Sequence, residues 1–193
     1  IGRLPEPTAP EVIKHIMETE LGQVVGNIPE DYPGWKYAFT VKDMINSKKL
    51  IEEIASASPF IPRFDNMGQW KFDVIKELYS QDDIEKTIES GGRISSSDVI
   101  KYSYSRTKIE DVITKIEFKY NYNYGFDNFN NAVNDDAGYT VEDVLPDGGS
   151  GYVRDYYGLT DDDDSTLVID DERGKYIRDH DTAKKFAKWY LRW

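Results

Sequence analysis

One run of nine residues limits the fold more than any other part of the chain: Ile116–Tyr124 reads Ile-Glu-Phe-Lys-Tyr-Asn-Tyr-Asn-Tyr. Side chains of an extended strand alternate between its faces with period two. Ile116, Phe118, Tyr120, Tyr122 and Tyr124 therefore share one face, and Glu117, Lys119, Asn121 and Asn123 share the other. A strand of this kind is half buried and requires a sheet with one packed and one wet face. Tyrosine suits that role because it joins a large apolar ring to one hydrogen-bonding tip, and the chain carries 14 of them. The face of Tyr120, Tyr122 and Tyr124 is expected to be covered by protein, either as core or as contact between subunits.

Charge is concentrated in one place. Between Phe126 and Asp171 there are thirteen acids and one base, Arg154, a net of −12 that equals the net charge of the whole chain. This Gly- and Asp-rich stretch buries little apolar surface and is expected to be a long acidic loop. Its charge repels a phosphate backbone, so nucleic-acid binding is disfavoured. The chain has no cysteine, which removes disulfides, thiolate nucleophiles and cysteine zinc sites. No apolar run approaches the roughly 18 residues of a membrane span.

The remaining elements follow from periodicity and punctuation. Ala9–Leu21 is an amphipathic helix with Thr8 placed to cap it, Val12, Ile13, Ile16 and Met17 on one face, and Gly22 at its end. Tyr37, Phe39 and Val41 alternate as a short strand would. Ser47 is placed to cap a helix whose stripe is Leu50, Ile51, Ile54 and Ala55. Phe60–Phe64 and Trp70–Ile75 flank Asp65-Asn66-Met67-Gly68, which predicts a β-hairpin. Asp82–Glu89 reads as a further helix, and Ile100–Tyr104 as a strand paired antiparallel with Thr114–Tyr124. Asp179 or Asp181 caps a last helix carrying Ala183, Phe186, Ala187, Tyr190 and Leu191. The fold class is α+β, an antiparallel β framework with three to four peripheral helices and a long acidic loop. Residues 1–93 form an α+β subdomain with the hairpin. Residues 94–193 hold the strand pair, the acidic excursion (126–171) and the terminal helix. The first residue is Ile1 and the last, Trp193, falls within a running helix, so a piece of a longer protein is expected.

No chemical signature accompanies this framework. Asp161, Asp162, Asp163 and Asp164, with Asp170 and Asp171 nearby, offer oxygens for calcium but lack EF-hand spacing, and a solvated acidic loop is the favoured reading. Among 36 acids no carboxylate pair, whether from Asp127, Glu142 or Asp155, is singled out for acid–base work. His15 and His180 lack partners at metal-ligand spacing. Gly148-Gly149-Ser150-Gly151 lacks the lysine of a phosphate cradle. No catalytic residue, metal or cofactor is assigned. Trp189 and Trp193 mark the flank of the last helix, as packing or as an interface.

The segments "APEVIKHIMETELG", "WKYAFTV", "KKLIEEIASAS", "DNMGQWKF", "ISSSDVIKYSYSRTKIEDVITKIEFKYNYNY" and "IRDHDTAKKFAKWYLRW" occur in an order that resembles the central modules of bacteriophage tail-tip or baseplate hub proteins. The resemblance covers most of the chain outside Phe126–Asp171. It implies a non-enzymatic virion structural protein that forms a homotrimeric ring with itself and contacts other tail proteins. It places the chain in the phage tail, and in the host cytoplasm during assembly. Tyr120, Tyr122, Tyr124, Trp189 and Trp193 are then interface candidates, and the acidic loop projects outward or lines the lumen. The alternative expectation is a surface-glycan or cell-wall binding module that uses Tyr and Trp rings as sugar platforms.

Overall fold

A computed structural model describes residues 7–26, 34–76, 111–133 and 165–192, with single positions at 28, 80, 105, 108 and 158. The expected helix Asp82–Glu89 and strand Ile100–Tyr104 lie outside them. The fold is α+β, as expected. Its elements are α1 (Ala9–His15), a π-helical turn (Ile16–Glu20), α2 (Ser47–Ser56), β1 (Phe60–Phe64), β2 (Trp70–Val74), β3 (Lys115–Asn123), β4 (Asn128–Val133), β5 (Thr166–Ile169), a 3₁₀ turn (Glu172–Lys175) and α3 (His180–Arg192).

Local chemistry accounts for the ends of the helices. Glu11 reaches back to Thr8, accepting from its backbone N–H and its hydroxyl at 2.8 Å each, which ties down the first turn of α1. The π-helical turn carries this helix on to Glu20, and Gly22 takes a φ of +63° just beyond it, a conformation that favours glycine. Helix α2 is capped one residue earlier than expected, by Asn46, whose side chain accepts from Lys48 N at 2.9 Å. In α3 the cap is Asp179, which accepts from the Thr182 backbone at 2.8 Å and from its hydroxyl at the same distance.

The hairpin forms where the turn residues put it. Phe60 pairs with Val74 and Phe64 with Trp70, and Asp65 Oδ1 accepts from Met67 N and Gln69 N across the turn. By contrast Tyr37, Phe39 and Val41 do not join a sheet. Tyr37 is buried and Phe39 half buried, but Val41 is exposed, so the alternation holds only over the first part of the segment. The backbone there is held by single bonds to Pro7 and Tyr176 rather than by a ladder.

Strand β3 is the centre of a three-stranded sheet ordered β4-β3-β5. It pairs antiparallel with β4 and parallel with β5, and Phe118 is paired on both sides, to Val133 and Ile169. No third strand has room at that residue. Both flanking strands lie within Phe126–Asp171, so this stretch is not loop throughout. Asn128–Val133 reads Asn-Phe-Asn-Asn-Ala-Val, a poor strand former on its own, and it is recruited because β3 offers it an edge one tight turn away. The chain leaves the sheet at the β4 edge and rejoins it at the opposite edge, where β5 begins.

Ile116, Phe118 and Tyr120 are 1%, 0% and 3% exposed, and α3 lays Phe186 against Phe118 with ring centroids 4.5 Å apart. Trp35 packs edge-on against both Phe186 and Trp189. One buried cluster thus includes residues from α1, α2, the hairpin, β3 and α3; the described parts of 1–93 and 94–193 share a single core. The 3₁₀ turn crosses β3 so closely that a Cβ on Gly174 would overlap the Lys119 carbonyl and stand 2.8 Å from Phe129. Glycine is required there by the approach itself.

Candidate functional site

The inward face of β3 divides at Asn121. This residue adopts a φ of +59°, which asparagine tolerates better than most residues. Its N–H leaves the ladder to donate to the Ile177 carbonyl at 3.0 Å, and its side chain donates to Asn131 at 2.8 Å. Before it, Tyr120 is buried, with its hydroxyl 2.6 Å from His180 Nδ1. After it, Tyr122 and Tyr124 are only half buried and line an open groove of about 490 Å³. The core reading therefore holds for Tyr120, while Tyr122 and Tyr124 keep part of their surface open, as a contact between subunits would require. On the β5 side pairing ends at Phe118, and Asn121 turns its N–H to Ile177 instead, while β4 continues alongside Tyr122 and Asn123.

Four separate stretches build the groove: Phe39–Ile45, α2 through Lys49 and Glu53, the β3–β4 turn, and the 3₁₀ turn with Tyr176. Aromatic rings form its corners. Tyr122 and Tyr124 meet edge to face at 5.1 Å and 83°, and Phe39 meets Tyr176 at 4.9 Å and 72°. Cations lie over the ring faces, with Lys175 4.7 Å from the Tyr122 centroid and Lys42 5.3 Å from that of Tyr124. Such contacts are favourable because the ring face is electron-rich.

Three carboxylates of the groove, Glu53, Asp127 and Glu172, are engaged. The Tyr122 hydroxyl donates to Asp127, and the Tyr176 hydroxyl donates to Glu53. Lys49 stands 3.5 Å from Glu53, and Lys175 2.9 Å from Glu172. Hydrogen bonding to Asp127 raises the Tyr122 hydroxyl above the usual phenol range. Burial, reinforced by Glu53, pushes the Tyr176 hydroxyl further up. The Glu172 bond likewise raises Lys175. Both phenols therefore remain protonated donors at neutral pH, and the lysine remains charged. The groove presents donors, acceptors and ring faces.

The other sequence candidates fall elsewhere. Trp189 is 5% exposed and donates to the Ile75 carbonyl at 3.3 Å, so it packs within this chain. Trp193 and Asp161–Asp164 lie outside the described residues. Asp171 is held by Arg173, whose Nε and Nη2 donate at 2.8 and 2.5 Å. His15 stands 3.2 Å from the Thr19 hydroxyl on the same helix. Among the described residues no group of three or more acidic or histidine side chains is placed to hold a metal ion, and no helix is long and apolar enough to cross a membrane. Phe39, Glu53, Glu172, Lys175 and Tyr176 were not anticipated as groove residues. They come from distant parts of the sequence, and no local spacing links them.

A second feature is the pair of sheet edges. Among the described residues no strand lies outside β4 or β5, and Asn128, Asn130 and Val168 on those edges are exposed. In comparisons with known proteins, no family model matches the chain, and no curated protein or solved structure is similar to it.

Proposed function

We propose that the chain is a non-catalytic structural module of a phage tail tip or baseplate hub, which joins a homotrimeric ring through its sheet edges. The observation that carries this reading is the three-stranded β4-β3-β5 sheet, whose outer strands have no strand partner among the described residues. Open edges present unpaired backbone donors and acceptors, and ring closure between copies satisfies them. The resemblance-bearing segments that are described supply α1, α2, the hairpin, β3 and α3, all of which contribute to the buried cluster. Three of the four carboxylates lining the groove, Glu53, Asp127 and Glu172, are engaged by a hydroxyl or a lysine, which supports a non-enzymatic role. Light scattering and negative-stain electron microscopy of the protein test the proposal. A trimer mass with annular particles is expected, and a monomer without rings at micromolar concentration overturns it.

A further inference from the structure

We infer that the groove between β3 and the 3₁₀ turn is a binding site for an uncharged sugar unit. This goes beyond the scaffold reading and stands on the groove's own chemistry. Its volume of about 490 Å³ falls within the roughly 300–1,000 Å³ of small-ligand pockets. Tyr122 and Tyr124 stand at 83° to one another and form an aromatic corner. Hydrophobic ring faces of this kind pack against the C–H face of a pyranose, while the surrounding polar groups meet its hydroxyls.

Charge selects among possible ligands. The lining contains three lysines, Lys42, Lys49 and Lys175, against four carboxylates, Asp43, Glu53, Asp127 and Glu172. An anionic ligand such as a phosphate or a uronate would face those carboxylates. A cationic peptide would face the lysines already placed over the ring faces. A neutral polyhydroxylated ligand uses both kinds of group without stranding either. Hydroxyls accept from the lysines and donate to Asp127 and Glu172, and the flexible lysine stems swing aside as the sugar seats on the rings. The rim adds a further observation: Met44, in the lining, is 103% exposed, and Phe126, next to Asp127, is 81% exposed. Large apolar side chains left in water beside a groove offer additional stacking surface to an adjoining sugar.

The test is titration of the full chain with maltotetraose and tetra-N-acetylchitotetraose, followed by saturation-transfer NMR and calorimetry, with sialyllactose and octalysine as charged controls. At least one neutral tetrasaccharide is expected to bind in preference to both controls. Tyr124→Ala should weaken binding by roughly five- to ten-fold, the scale of one aromatic contact. Asp127→Asn, which keeps a residue tolerant of the φ of +55° at that turn, should also weaken it. Met67→Ala, at the distant hairpin turn, should leave it unchanged. Far-UV circular dichroism confirms that each variant folds. Failure of both neutral sugars to bind at about 10 mM, tighter binding of either charged control, or binding that is indifferent to both groove variants would overturn the inference. None of these results bears on ring formation, which is read separately by mass.

Discussion

The Tyr120 hydroxyl and His180 Nδ1 lie 2.6 Å apart, joining the middle of β3 to the first residue of α3. Tyr120 is 3% exposed, so this bond forms where water competes weakly. It ties the start of the terminal helix to the strand on which Phe186 rests. Tyr120→Phe removes the hydroxyl and keeps the ring. The expected cost is about 0.5–1.5 kcal/mol, measured as a lower midpoint of urea unfolding with an unchanged slope.

Gly174 lies where the 3₁₀ turn presses on β3. A methyl group there would collide with the Lys119 carbonyl and the Phe129 ring, and backbone cannot yield as a side-chain tip can. Gly174→Ala should destabilise by about 1–3 kcal/mol, the usual range for overpacking. Because the same turn carries Glu172 and Lys175, the variant should also disturb the groove, visible as shifted NMR signals of Tyr122.

Phe118 is fully buried and packs on Phe186. Phe118→Ala should cost about 3–5 kcal/mol through lost burial and the cavity left behind. Val24, 88% exposed, serves as the control, and Val24→Ala should change stability by less than about 0.5 kcal/mol. Chemical denaturation of both variants reads the difference.

Acid should loosen the fold through particular carboxylates. The Arg173 fork holds Asp171 below the usual carboxylate range, with burial opposing it. Asp73 is lowered chiefly by its bond from Arg63. At Asp179 burial pushes upward, but bonds from the Thr182 N–H and hydroxyl outweigh it and lower the group. A carboxyl whose folded pKa is depressed contributes stability that is fully present above the unfolded value of about 3.9 and is lost as pH falls through the folded pKa. Unfolding free energy should therefore be flat near neutrality and fall below about pH 4. Asp171→Asn should make that fall shallower while lowering stability at pH 7.

Edge pairing is open to a charge test. Asn128 and Asn130 lie exposed on β4, and lysine on an edge strand blocks its addition to another sheet. Asn128→Lys with Asn130→Lys should reduce the proposed ring to monomers, by light scattering, with an unchanged circular dichroism spectrum.

Much of this architecture was legible before any coordinates. Ala9–Leu21 showed its helix because stripe and stop signal agree, and the hairpin showed itself through Asp65-Asn66-Met67-Gly68. The inward set Ile116, Phe118 and Tyr120 followed from alternation alone. Other features were misread for identifiable reasons. Tyr37 and Phe39 alternate because one side meets the core, yet alternation does not report whether a neighbouring strand exists. Asn128–Val133 resembled loop because its composition carries little strand preference of its own, and pairing with β3 supplies what propensity lacks. The groove was not foreseen, since no local pattern announces the left-handed residue at Asn121, beyond which Tyr122 and Tyr124 are only half buried.

Sequence by itself determined the inward set of the regular part of β3, Ile116, Phe118 and Tyr120, because that depends on a period of two residues and is written locally. Tertiary structure alone decided which strands flank β3, where the chain crosses to the opposite edge, and how Phe39, Glu53, Tyr122 and Glu172 come to line one groove. Those outcomes depend on contacts between segments far apart in the chain. Their free energy is the balance of burial against loop closure, and no local pattern records it.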